Sequence, residues 1–169
     1  MKILVEIAQL QDLNALVKLE NEVFNSSDGL LTRRAFRYHM KSNNLLLVAR
    51  QSGDNSMLVG YILVLKRKLS ARIYSLATNT VFQGQGVAKT LVKKALAECA
   101  ASHLYKVKLE ARATNFKAIN LYKALGFEEQ YIYPNYYEDN EDANCMEWRH
   151  ALVNKVLQPT RLVLTDQKG

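Results

Sequence analysis

Two closely spaced glycines lie where a predicted strand passes into a predicted helix. Gly84 and Gly86 follow the strand residue Thr78, and apolar residues at helical spacing begin directly after them. Glycine lets the backbone approach a ligand closely, and the first amides of a helix lack acceptors and lie at the positive end of the helix dipole. The sequence therefore predicts a phosphate or diphosphate at this turn, with a tight turn that holds no ligand as the simpler alternative.

Three phosphate-binding patterns can be compared with these residues. A P-loop requires glycine where the chain has Gln83 and Ala88, although Lys89 resembles its lysine. A dinucleotide-binding fingerprint accepts Gly84 and Gly86 but requires Gly or Ala in place of Lys89. The third pattern, Gln/Arg-x-x-Gly-x-Gly/Ala, is matched at every position by Gln83, Gly86 and Ala88.

A second pair of motifs follows further along the chain. Residues 109–115 read Leu-Glu-Ala-Arg-Ala-Thr-Asn, and residues 121–127 read Leu-Tyr-Lys-Ala-Leu-Gly-Phe. Together with the glycine turn, these motifs resemble those of the GNAT superfamily of N-acetyltransferases over roughly residues 1–149. The resemblance implies transfer of an acetyl group from acetyl-CoA to a primary amine. It also implies an α/β fold with a mixed central sheet of about seven strands, splayed between strands four and five, with helices on both faces.

One subfamily resembles the chain in more detail. Asn135, Tyr136 and Tyr137, followed by acidic residues, are similar to a segment of the bacterial enzymes that acetylate the N-terminal alanine of a small-subunit ribosomal protein. The match extends to residues 31–37, which are shared with members whose substrate is often unknown. The resemblance thus implies a protein N-terminus as the acceptor, with Tyr136 and Tyr137 lining a peptide groove. Lysine side chains, polyamines, amino sugars and a non-catalytic CoA-binding adaptor remain alternatives.

Two residues are candidates for proton transfer. An amine must lose a proton before it attacks a thioester, because an N-terminal amine has a pKa near 8 and a lysine one near 10.4. By resemblance, Glu110 is the catalytic base, and the alternative is an ordinary carboxylate that faces solvent. Tyr122 lies seven residues after Asn115, as in the family, and would donate a proton to the departing thiolate. Its alternative is an aromatic anchor for the fourth helix.

Backbone groups are expected to bind most of the cofactor. Thr78 replaces the usual valine of the family, and Asn115 could bond the pantetheine arm while it also caps the fourth helix. The residues expected to contact acetyl-CoA are Leu76, Ala77, Thr78, Gln83, Gly84, Gln85, Gly86, Val87, Ala88, Asn115 and Tyr122. No metal is expected, because Cys99, Cys145 and the three histidines show no ligand spacing.

Apolar periodicity predicts strands at residues 4–8, 45–50, 58–65, 72–78, 105–111, 126–133 and 144–148, and helices at 10–23, 32–41, 86–102 and 115–125. The helix between strands four and five favours parallel pairing there. The length of 169 residues fits one domain, residues 1–150, followed by a tail, residues 151–169, whose packing the sequence does not decide.

Composition limits the partners. The net charge of +7 is compatible with nucleic acid, an acidic partner or a polyanionic cofactor, but no nucleic-acid-binding motif accompanies the basic residues. No apolar run reaches the roughly 20 residues of a membrane span, and no signal peptide is recognisable. We therefore expect a cytoplasmic monomer or homodimer that binds acetyl-CoA and a protein N-terminus or small amine, without nucleic acid or membrane.

Overall fold

The computed structural model describes residues 2–53 and 57–152, and within these ranges the chain forms a seven-stranded sheet and four α-helices. The strands are β1 (Ile3–Ile7), β2 (Leu45–Gln51), β3 (Leu58–Lys66), β4 (Ala71–Thr78), β5 (Lys106–Arg112), β6 (Glu128–Tyr133) and β7 (Ala143–Arg149). The helices are α1 (Leu13–Val23), α2 (Arg33–Lys41), α3 (Val87–Ala101) and α4 (Phe116–Ala124). These confirm the predicted elements within one or two residues, except that Leu10–Asp12 is a 3-10 turn before α1.

Side-chain caps set where two of the helices begin. Thr32 Oγ1 accepts a hydrogen bond from the Ala35 amide at 3.1 Å, and Asn115 Oδ1 accepts one from the Ala118 amide at the same distance. Such oxygens satisfy amides that have no partner in the first helical turn. Asn115 is the capping residue expected from the sequence, and it fixes the start of α4 close to the end of β5.

The strand order is β1-β2-β3-β4-β5-β7-β6, and all neighbours are antiparallel except β4 and β5. The parallel pairing is short, since it joins only Ala71 to Val107 and Arg72 to Lys108. Beyond these two pairs the strands separate, and the rest of each strand loses its partner on that edge. The parallel pairing and the splay predicted between the fourth and fifth strands are both confirmed.

Helices cover the two faces of the sheet unequally. On one face α3 buries Leu91 and Val92 in a cluster that extends to β5, β7 and α4. On the other face α1 and α2 bury Leu16 and Phe36, and the Phe36 ring meets the Tyr61 ring edge-on at 5.3 Å between centroids. Among the described residues, this second cluster includes side chains of β2, β3 and β4 but none of β5, β6 or β7. The predicted placement of helices on both faces is confirmed, and on the second face the helices cover β2, β3 and β4.

Gly60 lets α3 pack close to β3. A β-carbon at this position would lie 2.8 Å from the carbonyl oxygen of Ala77 and within 3.1 Å of Val87 and Leu91 side-chain carbons. Non-bonded carbon atoms prefer separations of roughly 3.5 to 4.0 Å, so any larger residue would push α3 away from the sheet. Because α3 begins directly after Gly86, the contact at Gly60 also sets the position of the glycine turn.

The predicted tail, residues 151–169, lies outside the described residues apart from Ala151 and Leu152. The boundary at residue 150 therefore stays a prediction. In the described part of the chain, none of the helices combines the length and hydrophobicity required to cross a bilayer. The same residues contain no group of three or more His, Cys, Asp or Glu side chains that could hold a metal ion.

Candidate active site in the splayed sheet

A cleft of about 1050 Å³ opens where β4 and β5 separate. Its walls come from both strands, the glycine turn, the start of α4, the segment between α1 and α2, and the segment between β6 and β7. Most of the residues singled out in the sequence meet in this cleft. They are Leu76, Thr78, Gln83, Gly84, Gly86, Val87, Ala88, Glu110, Asn115, Tyr122, Tyr136 and Tyr137.

Two of the expected cofactor contacts lie away from the cleft lining. Ala77 is buried in the cluster beneath α1 and α2. Gln85 turns back, since its Nε2 donates to the Val81 carbonyl at 3.0 Å. The Gln85 side chain therefore does not line the cleft, and the glycine turn presents its backbone there.

The free edge of β4 offers polar groups to the cleft. The Asn79 amide donates to the Val59 carbonyl at 2.8 Å, so position 79 points its backbone toward β3. Backbone groups of an antiparallel strand alternate between its two edges, and the amides of Leu76 and Thr78 therefore point toward β5, where no strand pairs with them. Among the described residues, the buried hydroxyl of Thr78 also has no hydrogen-bond partner. These groups suit a ligand that carries amides and carbonyls.

The glycine turn has the geometry of an anion site. Gly84 and Gly86 have φ values of 77° and 85°, which L-residues rarely adopt. The amides of Gln83 and Gln85 make only long hydrogen bonds of 3.4 Å within the turn. Within the described ranges, the amides of Gly84, Gly86, Val87 and Ala88 donate to no protein oxygen. Unpaired amides at the start of α3 fit the diphosphate that the sequence predicts here.

Glu110 is held by an ion pair that the sequence analysis missed. Arg72 Nε donates to Glu110 Oε2 at 2.7 Å, and Arg72 Nη2 donates to the Tyr136 hydroxyl at 2.9 Å. Burial alone would lower the pKa of Arg72, but its contacts with Glu110 and Tyr136 raise it overall. The available signal was a single arginine inside an otherwise uncharged β4. The second oxygen of Glu110, Oε1, makes no hydrogen bond with the described residues, so it is available to a substrate.

Arg112 joins three segments around the mouth of the cleft. Its guanidinium pairs with Asp28 at 2.7 Å, with Asp139 at 2.8 Å and with Glu141 at 2.7 Å. It also lies over the Tyr137 ring, 4.1 Å from the centroid. One cation thus connects the α1–α2 segment to the β6–β7 segment through the end of β5. Three carboxylates around one guanidinium leave an excess of negative charge at the mouth.

The acidic residues near Tyr137 are bound by protein partners. Asp139 and Glu141 are engaged by Arg112, and Asp142 Oδ1 accepts the Asn135 amide at 2.8 Å. Hydrogen bonds from Thr114 and Arg112 lower the pKa of Glu141, with the Thr114 contact the larger cause. These carboxylates hold the β6–β7 segment in place as well as supplying charge.

The position of Tyr122 is compatible with both of the roles considered for it. It is only 6% exposed, and its ring meets Phe127 edge-on at 5.4 Å, as expected of an aromatic anchor. It also lines the cleft, and its hydroxyl makes no hydrogen bond with the described residues. Burial raises the pKa of Tyr122, with a smaller contribution from Tyr137, so the phenol keeps its proton at neutral pH. A protonated hydroxyl without a protein partner is available to a leaving group.

Comparison with known proteins identifies the family. The family model described as Acetyltransferase (GNAT) family matches residues 11–127. A protein of Bacillus subtilis (strain 168), named provisionally as a [ribosomal protein bS18]-alanine N-acetyltransferase, is 27% identical over 149 residues, which cover 87% of this chain and 95% of that protein. The segment matched by the family model includes the glycine turn, Glu110 and Tyr122.

Two solved structures share the fold. The ribosomal-protein-S18-alanine N-acetyltransferase from Escherichia coli superposes with a TM-score of 0.77 at 24% identity, over 88% of this chain and 94% of that one. A chain from the NatC complex bound to Gag peptide and CoA gives a TM-score of 0.75 at 21% identity, over 89% and 99%. The chain therefore belongs to the GNAT family of acetyltransferases, whose fold uses acetyl-CoA as the acetyl donor.

Proposed function

We propose that residues 1–150 form a catalytic domain that transfers acetyl from acetyl-CoA to the N-terminal α-amine of a protein, such as a ribosomal protein. The observation that carries the proposal is the splay between β4 and β5, which opens one cleft to both the glycine turn and Glu110. An acceptor and a donor bound in that cleft would meet at the point where the strands separate. The names of the Bacillus subtilis and Escherichia coli proteins support the choice of acceptor.

The donor would lie along β4 with its diphosphate at the glycine turn. The unpaired amides at Gly84, Gly86, Val87 and Ala88 would bind phosphate oxygens. The amides of Leu76 and Thr78 would bind the pantetheine and the thioester carbonyl. An amide aimed at that carbonyl stabilises the negative charge that develops on its oxygen during attack, which is the main electrostatic contribution of such sites.

Glu110 would take the proton from the attacking amine, directly or through one water. Arg72 occupies only Oε2, so Oε1 can face the amine while the ion pair keeps the carboxylate in position. The amine nitrogen then forms a bond to the carbonyl carbon and the carbon–sulfur bond breaks. Tyr122 would give its proton to the departing sulfur, which fits a buried phenol that stays protonated at neutral pH.

The charge at the mouth of the cleft suits a cationic acceptor. Asp28, Asp139 and Glu141 outnumber the single guanidinium of Arg112. Their field attracts a protonated N-terminus, and it would attract a polyamine in the same way. Small polyamines are therefore the second candidate acceptor.

A thiol-release assay with acetyl-CoA and a panel of amines tests the proposal. The panel contains peptides that begin with alanine, Nα-acetylated peptides with one lysine, spermidine and glucosamine. We expect free CoA thiol to appear with the alanine peptides, and mass spectrometry to locate the acetyl group on the α-amine. Turnover restricted to spermidine or to lysine side chains would refute the α-amine assignment. Tight CoA binding without turnover on any amine would indicate the adaptor instead.

A further inference from the structure

On the face of the sheet that carries Glu110, no helix of the described residues packs apolar side chains on β5, β7 or β6. The helices α1 and α2 cover that face over β2, β3 and β4, and among the described residues their cluster includes no side chain from the other three strands. The exposed side chains on this face belong to the edge strand β6, whose residues are all exposed. Exposed side chains beside a reaction centre are suited to bind the part of a substrate that does not react.

Strand register places two tyrosines of β6 in line with the site. In the strand register, Glu110 of β5 lies opposite Cys145 of β7, and Cys145 lies opposite Tyr131 of β6. The three residues therefore form one row across the sheet. The next row on the same face runs from Arg112 through Ala143 to Tyr133. The central residues of both rows are almost fully buried, whereas Tyr131 is 45% and Tyr133 is 41% exposed.

Tyr131, Tyr133 and Tyr136 form a continuous aromatic surface, which we call the tyrosine ladder. The rings of Tyr131 and Tyr133 meet edge-on at 4.7 Å, and their hydroxyls are 2.9 Å apart. Tyr133 stacks on Tyr136 at 5.7 Å. The Tyr136 hydroxyl accepts a hydrogen bond from Arg72, and Arg72 Nε donates a hydrogen bond to Glu110. The ladder is thus connected to the candidate base by direct contacts.

We infer that the tyrosine ladder binds the acceptor polypeptide beyond its N-terminal residue and so selects polypeptides over small amines. This inference rests on the proposed α-amine acetylation. Adjacent strands lie about 4.8 Å apart, so Tyr131 is roughly 10 Å from Glu110 across the sheet. An extended chain advances about 3.3 Å per residue, so an acceptor whose amine is at Glu110 reaches the ladder with its third or fourth residue. Tyrosine rings give rigid contact area, and their hydroxyls bond peptide groups.

The test is a series of nested peptides that begin with alanine and lengthen from two to eight residues. For the wild-type chain we expect kcat/KM to rise about tenfold as the peptide reaches the ladder and then to level off. In the double variant Tyr131→Ala, Tyr133→Ala this rise disappears, and the loss lies in KM. Tyr38→Ala is the matched control, because Tyr38 is 64% exposed on α2 and lies outside the ladder. It should keep the full length dependence.

The outcomes separate this inference from the proposed function. If wild-type protein acetylates short and long alanine peptides equally well, the ladder has no such role although the α-amine assignment stands. If no α-amine is acetylated and a small amine is, both fail. Tyr131→Ala and Tyr133→Ala could instead change the molecular mass of the protein in solution and leave the dependence of kcat/KM on peptide length unaltered. In that case the ladder is a subunit interface and the inference is wrong. Should the double variant not fold, each single variant gives the same comparison with a smaller loss.

Discussion

The two halves of the sheet are built differently. Strands β2 and β3 lie between helices on both faces, and their residues 45–49 and 58–64 are continuously buried. Strand β5 has α3 and α4 on one face and, on the other, presents Glu110 and Arg112 beside the cleft, so its residues alternate between buried and partly exposed. Burial on both faces favours continuous apolar sequence, and burial on one face leaves alternate positions free for polar groups. The first half therefore supplies stability, and the second half supplies the polar groups of the site.

The largest expected effect is the loss of the proposed base on β5. The change Glu110→Gln removes a group that can accept a proton and keeps its size, so kcat/KM at neutral pH should fall by about 100-fold or more. The loss should shrink at high pH, because an N-terminal amine with a pKa near 8 is then already deprotonated. The measurement is the pH–rate profile with an alanine peptide. Glu98→Gln, on the exposed face of α3, is the control. An unaltered pH–rate profile in Glu110→Gln would exclude Glu110 as the base.

A matched pair of tyrosine variants compares the halves directly. Tyr122→Phe should lower kcat by about 10- to 100-fold and leave the thermal midpoint unchanged, because its hydroxyl has no partner among the described residues. Tyr61→Phe should do the reverse. Its hydroxyl bonds Glu20 and Ser75 beneath α1, so its removal should cost about 1 to 3 kcal/mol of unfolding free energy with a smaller change in kcat. Similar kcat losses in both variants would contradict the division of roles.

Gly60→Ala tests the packing of the covered half. The added methyl would lie 2.8 Å from the Ala77 carbonyl oxygen, and a backbone atom cannot move away cheaply. We expect a loss of about 1 to 3 kcal/mol in unfolding free energy, measured by urea denaturation. Because α3 also positions the glycine turn, the KM for acetyl-CoA should rise in the folded fraction. Unchanged stability would mean that α3 does not depend on this close approach.

The smallest expected effect concerns Glu20, the buried carboxylate beneath α1. Burial raises its pKa above the ordinary value of 4.5, although hydrogen bonds from Tyr61 and the Leu31 amide act in the opposite direction. The folded state therefore binds this proton at higher pH than the unfolded chain does. The contribution of Glu20 to stability is fully present below pH 4.5 and is lost as the pH rises through the folded pKa.

Glu20→Gln should remove that part of the pH dependence. Urea denaturation at several pH values from about 4 upward gives the slope of unfolding free energy against pH, and the slope should be less negative in the variant than in the wild-type chain. Glu22→Gln provides the comparison, since Glu22 is on the same helix and its side chain is 46% exposed. A slope that Glu20→Gln leaves unaltered would show that another group titrates in this range.

The candidate site could be predicted only in part. Gly84, Gly86, Glu110 and Tyr122 belong to motifs in which residue type and short spacing carry the chemistry, and all four line the cleft. The partners of Glu110 escaped prediction because Arg72 is 38 residues away along the chain. The same holds for Arg112 and Asp28, which are separated by 84 residues. Nothing local in either sequence segment indicates such a pairing.

The sequence by itself determined the seven strands, the four helices and the glycine turn, because apolar periodicity, capping side chains and glycine conformations act between residues that are neighbours along the chain. Only the tertiary structure decided after which residue pair β4 and β5 separate, which carboxylates surround Arg112, and which strands α1 and α2 cover. These features depend on strand register and on helix packing across the sheet. Both are set by contacts among many distant residues at once, so no short stretch of sequence specifies them.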